Sequence, residues 1–129
     1  MKQILIIEDS KGQQKVYKYW FSDHSLVERA VALPHLDFCD KISDALRLVQ
    51  TTYYDVILLD LHLGESESGF SFLDNFELKD SKPKVIVVSA YFSSLKEPMM
   101  KENKDIVWLD KEEATFERLT QEMKLKEDS

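Results

Sequence analysis

The stretch that decides the fold is DVILLDLHLG, residues 55–64, in which four apolar residues run directly into the carboxylate of Asp60. Uninterrupted β-branched runs of this length are typical of strands that are buried on both faces of a parallel sheet. Because parallel strands share one direction, their polar ends meet at the carboxyl edge, where open α/β sheets bind ligands. Three other apolar runs end in the same way: 4–7 before Glu8 and Asp9, 85–88 before Ser89, and 106–109 before Asp110 and Lys111.

Length, charge and cysteine content limit the class of protein. A chain of 129 residues without a Gly/Ser linker fits a single domain over 1–129 with no second, output domain. The formal net charge of −7 argues against a nucleic-acid or anionic-membrane surface. Cys39 is the single cysteine, so no intramolecular disulfide is possible and a reducing compartment fits. No apolar stretch approaches the roughly 20 residues of a membrane helix, and Met1 leads into a strand instead of a signal peptide. We therefore expect a cytoplasmic protein.

Amphipathic stripes between the apolar runs predict helices, and an alternation of strands and helices implies right-handed βαβ units. In the first helix we interpret Tyr17, Trp20 and Phe21 as core-facing residues. Asp40 is available as the N-cap of the next helix. The stripes that define the other helices are Ile42, Leu46, Val49 and Tyr53; Phe70, Leu73 and Phe76 within 68–78; and Phe116, Leu119 and Met123.

Two regions, residues 10–39 and 89–105, have less regular patterns. Residues 10–33 predict one long helix, although the weak helix formers at 22–25 can divide it. Residues 34–39 alternate apolar and polar side chains, as an edge strand does. A helix is expected within 89–105, but Pro98 interrupts it, and a proline in a helix interior costs about 3 kcal/mol.

The predicted carboxyl edge gathers groups that suit phosphoryl chemistry. Two carboxylates about 5 Å apart repel by roughly 3 kcal/mol at an effective dielectric constant of 20, so Glu8, Asp9 and Asp60 together favour a cation. Mg²⁺ is a hard ion that takes carboxylate oxygens and retains waters for an incoming phosphate. Lys111 supplies a fixed positive charge and Ser89 a hydroxyl donor, both suited to phosphoryl oxygens. These groups predict phosphoryl transfer onto a carboxylate.

Five motifs in register give the chain a family resemblance. Over essentially its whole length it resembles the receiver domain of two-component response regulators. The resemblance implies a flavodoxin-like, doubly wound α/β fold: a five-stranded parallel sheet ordered 2-1-3-4-5 with about five helices. The motifs lie at 4–9, 43–46, 56–60, 85–90 and 108–111.

The resemblance also implies a role for each residue of the edge. Asp60 becomes the phosphoacceptor. Glu8 and Asp9 become the acid pair that holds Mg²⁺ together with Asp60, and the backbone carbonyl of His62 becomes a further metal ligand.

The phosphoryl group and the switch involve two other positions of the family pattern. Ser89 and Lys111 would contact the phosphoryl oxygens. Trp108 stands where receivers usually carry a Tyr or Phe that turns inward on activation, so Ser89 and Trp108 would form the switch. Static packing of Trp108 on the last strand is the alternative.

The chain departs from the family pattern in its loops. Receivers usually place a proline after the lysine in a cis peptide, whereas Glu112 follows Lys111 here, and a non-proline cis bond costs about 2.5–4 kcal/mol. Gly64 replaces the usual proline of the loop after Asp60, and Gly69 falls one residue late.

Three classes of function compete. The first is a stand-alone receiver that accepts a phosphoryl group from a sensor histidine kinase or histidine phosphotransfer protein and signals to a downstream protein target. The second is a receiver-fold binding module that signals without phosphorylation. The third, an aspartyl-phosphate hydrolase, is disfavoured because His62 stands where the second aspartate of haloacid-dehalogenase-type phosphatases would lie. We expect no enzyme beyond slow self-dephosphorylation, tuned by His62 and Tyr91.

Overall fold

The computed structural model describes residues 2–22, 33–61, 72, 83–89 and 106–125. Within these ranges five strands and three helices follow one another along the chain. They are β1 (Gln3–Ile7), α1 (Lys11–Phe21), β2 (His35–Cys39), α2 (Ile42–Thr51), β3 (Val56–Leu61), β4 (Lys84–Ser89), β5 (Val107–Asp110) and α3 (Phe116–Glu122).

The strands form one parallel sheet in the order β2-β1-β3-β4-β5. This confirms the predicted doubly wound sheet, including the position of β2 at its edge. The registers Ile7 to Leu59 and Ser89 to Asp110 bring the ends of neighbouring strands side by side. The polar residues that end the apolar runs therefore share one edge of the sheet.

Side chains of each inner strand alternate between two buried layers. Ile4 and Ile6 of β1 pack on the face covered by α1 and α3, whereas Leu5 and Ile7 pack on the face covered by α2 and Phe72. Successive strand residues point to opposite faces, so this parity continues to the polar strand ends. The stripe predicted for α3 is confirmed, because its three residues pack on the face of the sheet that α1 and α3 cover: Phe116, Leu119 and Met123.

The expectation of one long helix over 10–33 is wrong. α1 ends at Phe21, and Ser22 already has an extended backbone with φ −118° and ψ −155°. The serine and the polar residues after it are weak helix formers, because their side chains compete for backbone hydrogen bonds. The helix begins at Lys11 because the Ser10 hydroxyl accepts a hydrogen bond from the Gln13 N–H at 3.2 Å.

The predicted N-cap of α2 is also wrong. Lys41, not Asp40, occupies the cap position, and its side chain makes no capping hydrogen bond. α2 is held by its buried face instead. Ala45 is fully buried, and three further residues of α2 pack against the side chains on the opposite face of the sheet from α1: Ile42, Leu46 and Val49. Tyr53 lies beyond the end of the helix and is exposed.

Several predicted features lie outside the described residues. These are the helix over 68–78 apart from Phe72, the irregular segment over 90–105 with Pro98, and the glycines that depart from the family loop, Gly64 and Gly69. In the part of the chain that the structure covers, no helix combines the length and apolar character needed to cross a bilayer. Cys39 is a buried free thiol, and burial raises its pKa to about 12.

An ion-pair network joins the start of β4 to α3. Lys84 Nζ lies 2.8 Å from Glu122 Oε2, and Arg118 Nε donates a hydrogen bond to Glu122 Oε1 at 3.1 Å. The hydrogen bond from Lys84 is the main cause that lowers the pKa of Glu122 below its ordinary value of 4.5. The ionised form of Glu122 therefore ties the amino-terminal end of β4 to the last helix.

We predict that Glu122→Gln lowers the free energy of unfolding at pH 7 by up to about 1 kcal/mol, the usual upper range for a partly exposed pair. The folded-state pKa of Glu122 is depressed, so its contribution is present above about pH 4.5 and is lost as the pH falls through the folded-state value. Urea denaturation at pH 7 and at a pH below the folded-state pKa of Glu122 measures the difference, and Lys84→Met in the Glu122→Gln background should add little. An equal effect of Glu122→Gln at both pH values would contradict this account.

Candidate functional site

The carboxyl edge of the sheet buries polar groups side by side. Glu8 directly follows β1, Asp60 lies near the end of β3, and Ser89 ends β4; all three are almost inaccessible, with Asp60 only 2% exposed. Parity places Glu8 and Asp60 on the α1 face of the sheet, since both continue the even-numbered positions that pack there. Burying a carboxylate is costly unless hydrogen bonds or a cation compensate it.

Lys111 provides the cation for Asp60. Its Nζ donates to Asp60 Oδ1 at 2.5 Å, and the lysine side chain itself is 31% exposed. The Lys111 N–H donates to the Ser89 carbonyl at 3.2 Å, which extends the pairing of β4 and β5 by one step. The contact between Lys111 and Asp60 joins the loop after β5 to the inner strand β3.

The loop that carries Lys111 reaches the site without the usual cis-proline. No cis peptide occurs in the described residues, so the Lys111–Glu112 bond is trans. The backbone turns instead through hydrogen bonds to the Asp110 carbonyl, from the Glu113 N–H at 2.9 Å and the Ala114 N–H at 3.1 Å. The Asp110 N–H in turn donates to Glu113 Oε1 at 3.0 Å. Local hydrogen bonds thus fix the turn after β5, which a cis-proline fixes in the family pattern.

Tyr17 of α1 makes the second contact with Asp60. Its hydroxyl donates to Asp60 Oδ2 at 2.6 Å, and the side chain is 1% exposed. The ring stacks on Phe21 with centroids 6.0 Å apart and meets Trp20 edge-on at 5.8 Å. Burial, followed by the negative charge of Asp60, raises the pKa of Tyr17 far above its ordinary value, so the hydroxyl stays protonated as a donor.

Glu8 organises the loop between β1 and α1. Its Oε1 accepts a hydrogen bond from the Ser10 N–H at 2.9 Å, and its backbone carbonyl accepts one from Gln14 Nε2 at 2.5 Å. Its own N–H donates to the Cys39 carbonyl at 2.9 Å. Glu8 is therefore buried within this loop, whereas the neighbouring Asp9 is exposed.

Comparison with known proteins identifies the family. The family model of the response regulator receiver domain matches residues 4–107. The chain belongs to the receiver domain family. No curated protein matches the chain.

Solved structures share the receiver fold at low sequence identity. The receiver domain of Francisella response regulator 1452 is 20% identical with a TM-score of 0.70, and the alignment covers 96% of this chain and 94% of that one. A CheY-like receiver domain from Methylobacillus flagellatus is 19% identical with a TM-score of 0.67, covering 96% and 97%. A response regulator from Thermotoga maritima is 14% identical with a TM-score of 0.65, covering 96% and 98%. At these identities the likeness concerns the fold alone.

The receiver's acidic edge fits Mg²⁺ in donor type and in charge. Glu8, Asp9 and Asp60 supply hard oxygen ligands, and their three negative charges exceed the single charge of Lys111. Among the described residues, no group of three or more histidine, cysteine, aspartate or glutamate side chains is placed to hold a metal ion. The Asp60 oxygens accept hydrogen bonds from Tyr17 and Lys111 instead.

The structure brings together only part of the predicted site. Asp60 and Lys111 are in contact, Glu8 and Ser89 are buried at the same edge, and His62 and Tyr91 lie outside the described residues.

Trp108 is 7% exposed and packs in the layer covered by α2. Parity places Ser89 on that same face, because Val85 and Val87 of β4 pack there. The switch role of Ser89 and Trp108 stays a prediction. If it is correct, its movement starts from a ring that is already buried.

Sequence reasoning missed the polar role of α1. Tyr17 was assigned to the core, where its ring does lie, but its hydroxyl was not connected with Asp60. A buried tyrosine usually finds a hydrogen-bond partner for its hydroxyl, so its place in an apolar stripe was the available signal. The Gln14 amide, which reaches the carbonyl of Glu8, had no comparable signal.

We predict that Lys111→Met lowers the free energy of unfolding at pH 7 by about 2 to 3 kcal/mol, because a buried carboxylate loses its cation. Asp60→Asn in the Lys111→Met background should restore most of that loss, since an amide carries no charge to compensate. Urea denaturation of the wild type, both single variants and the double variant gives the coupling energy. Purely additive effects would show that the contact between Asp60 and Lys111 does not stabilise the fold.

Proposed function

We propose that this receiver accepts a phosphoryl group on Asp60 from a phosphohistidine donor, with Mg²⁺ as the cofactor. One observation carries the proposal: a buried carboxylate near the carboxyl end of an inner parallel strand, with Lys111 Nζ 2.5 Å from Oδ1. A capping or turn role for Asp60 would require neither the burial nor the lysine.

The transfer is an exchange of one bond at phosphorus for another. A carboxylate oxygen of Asp60 forms the new O–P bond while the N–P bond of the donor breaks, and the imidazole nitrogen retains the electron pair. Lys111 offsets the negative charge of the phosphoryl oxygens, and the Ser89 hydroxyl would donate to one of them. Glu8, Asp9, Asp60 and the His62 carbonyl would hold Mg²⁺, which neutralises phosphoryl charge when bound.

Partners follow from this chemistry and from the charge of the chain. The donor is a sensor histidine kinase or histidine phosphotransfer protein, and the output is a contact with a downstream protein target. The net charge of −7 does not favour a nucleic-acid partner. We place this regulator in the cytoplasm, which fits the free thiol of Cys39. The chain acts as a phosphoacceptor with slow self-dephosphorylation, not as an enzyme that turns over a substrate.

Treatment with acetyl phosphate and Mg²⁺ should add one phosphoryl group to the wild type, and Asp60→Asn should remain unlabelled. Asp60 is the described carboxylate that combines burial at the edge with a direct lysine contact. Intact-mass spectrometry reads the result, and Asp110→Asn, at the end of the outer strand β5, is a matched control that should still be labelled. An adduct that persists in Asp60→Asn would move the acceptor to another residue.

A specific observation also favours the second candidate, a binding module that signals without phosphorylation. Both oxygens of Asp60 accept hydrogen bonds from protein donors, and no set of described acidic, cysteine or histidine side chains is gathered for a metal. The same mass measurement separates the two functions, because this module would stay unlabelled in the wild type.

The phosphodonor should dock beside α1, around residues 13–17, next to the pocket that it must reach. Lys11 is the better probe of this surface, because its side chain is 75% exposed, whereas Gln14 supports the loop at Glu8. Lys11→Ala should slow phosphotransfer from a purified histidine phosphotransfer protein several-fold and leave labelling by acetyl phosphate unchanged. Arg47→Ala, an equally exposed cation on α2, is the control and should change neither rate. Equal loss with both donors would place the defect of Lys11→Ala in the pocket itself.

A further inference from the structure

The hydroxyl of Tyr17 donates to Oδ2 of Asp60, whereas Lys111 donates to Oδ1. We propose that Tyr17 is a positioning residue that holds the Asp60 carboxylate in its resting, metal-free state and competes with Mg²⁺ and the phosphoryl group for Oδ2. This inference rests on the proposed function of Asp60, and it adds a residue of α1 that sets how readily the site is engaged.

The geometry makes Tyr17 a fixed donor. Its ring forms a cluster with the stacked ring of Phe21 and with Trp20, and Trp20 in turn packs against Phe116 of α3 with centroids 6.2 Å apart. The start of α1 is held by the Ser10 cap. A ring that is 1% exposed in such a cluster cannot swing away from Asp60 without displacing other core residues.

The strength of the hydrogen bond from Tyr17 depends on the charge of Asp60. A donor to an ionised carboxylate is charge-assisted and about twice as strong as a donor to a neutral oxygen. When Asp60 becomes an acyl phosphate, its carboxyl group loses the negative charge, so the bond from Tyr17 weakens. A cation that binds Oδ2 must likewise share or displace the tyrosine proton. In both cases Tyr17 favours the resting state over the engaged state.

Tyr54 provides a matched control elsewhere in the fold. It is also a buried tyrosine, and its hydroxyl donates to Asp37 Oδ2 at 2.7 Å. Tyr54 packs in the layer covered by α2, on the opposite face of the sheet from Tyr17. Tyr54→Phe and Tyr17→Phe therefore each remove one hydroxyl and one bond to a carboxylate, but only Tyr17→Phe changes Asp60.

The test is a Mg²⁺ titration of the unphosphorylated wild type, Tyr17→Phe and Tyr54→Phe, followed by amide chemical shifts. Tyr17→Phe should bind Mg²⁺ about tenfold more tightly than the wild type. This factor is the change in equilibrium constant that corresponds to the loss of one hydrogen bond to a charged group. Tyr54→Phe should match the wild type. Initial labelling by acetyl phosphate at limiting Mg²⁺ should rise in Tyr17→Phe by a similar factor. The amide spectra also show that each variant is folded.

The outcomes separate this inference from the proposed function. Equal or weaker Mg²⁺ binding by Tyr17→Phe overturns the inference, as does the absence of any measurable binding by that variant. A purely structural role for Tyr17 predicts such a loss, whereas competition predicts a gain. Tighter Mg²⁺ binding by Tyr17→Phe supports the inference even if no variant accepts a phosphoryl group, in which case the proposed function alone has failed.

Discussion

The buried carboxylate of Asp60 is the constraint on which the rest of the structure depends. A negative charge in the interior is tolerated only with a cation and hydrogen bonds close to it, and here Lys111 and Tyr17 supply them. These contacts join α1, the inner strand β3 and the loop after β5, which are distant in sequence. Asp60 is therefore both the proposed reactive group and a fixed point of the tertiary structure.

The parallel sheet explains why the charge is at this position. All the described strands run in one direction, so every apolar run delivers its terminal polar residue to the same edge. Parity then divides these residues between the two faces: Glu8 and Asp60 share the face of α1, whereas Ser89 shares the face of Trp108. The predicted signal from Asp60 to Trp108 would therefore pass from one layer to the other through β4.

Glu112 and Tyr17 have different structural consequences for the site. Glu112 replaces a proline, yet Lys111 still reaches Asp60, because the turn is held by backbone hydrogen bonds to Asp110. Tyr17 acts on the acceptor more directly, since its hydroxyl donates a hydrogen bond to Asp60 Oδ2. The turn at Glu112 preserves the contact between Lys111 and Asp60, and the proposed role of Tyr17 is to set how readily Asp60 is engaged.

The sequence by itself determined the sheet and its carboxyl edge, with Glu8, Asp60 and Ser89 at the ends of the inner apolar runs. Unbroken β-branched runs that end on polar residues have few alternatives to a buried parallel sheet, and the family motifs fixed the strand order. The end of α1 at Phe21 and the cap of α2 at Lys41 were predicted wrongly, because helix ends depend on small local energies that packing can override. Only the tertiary structure decided that Tyr17 reaches Asp60, since a stripe pattern shows which face of a helix is buried but not which atom its polar tip meets. The burial of Trp108 was decided in the same way, by packing between elements that are far apart in the chain.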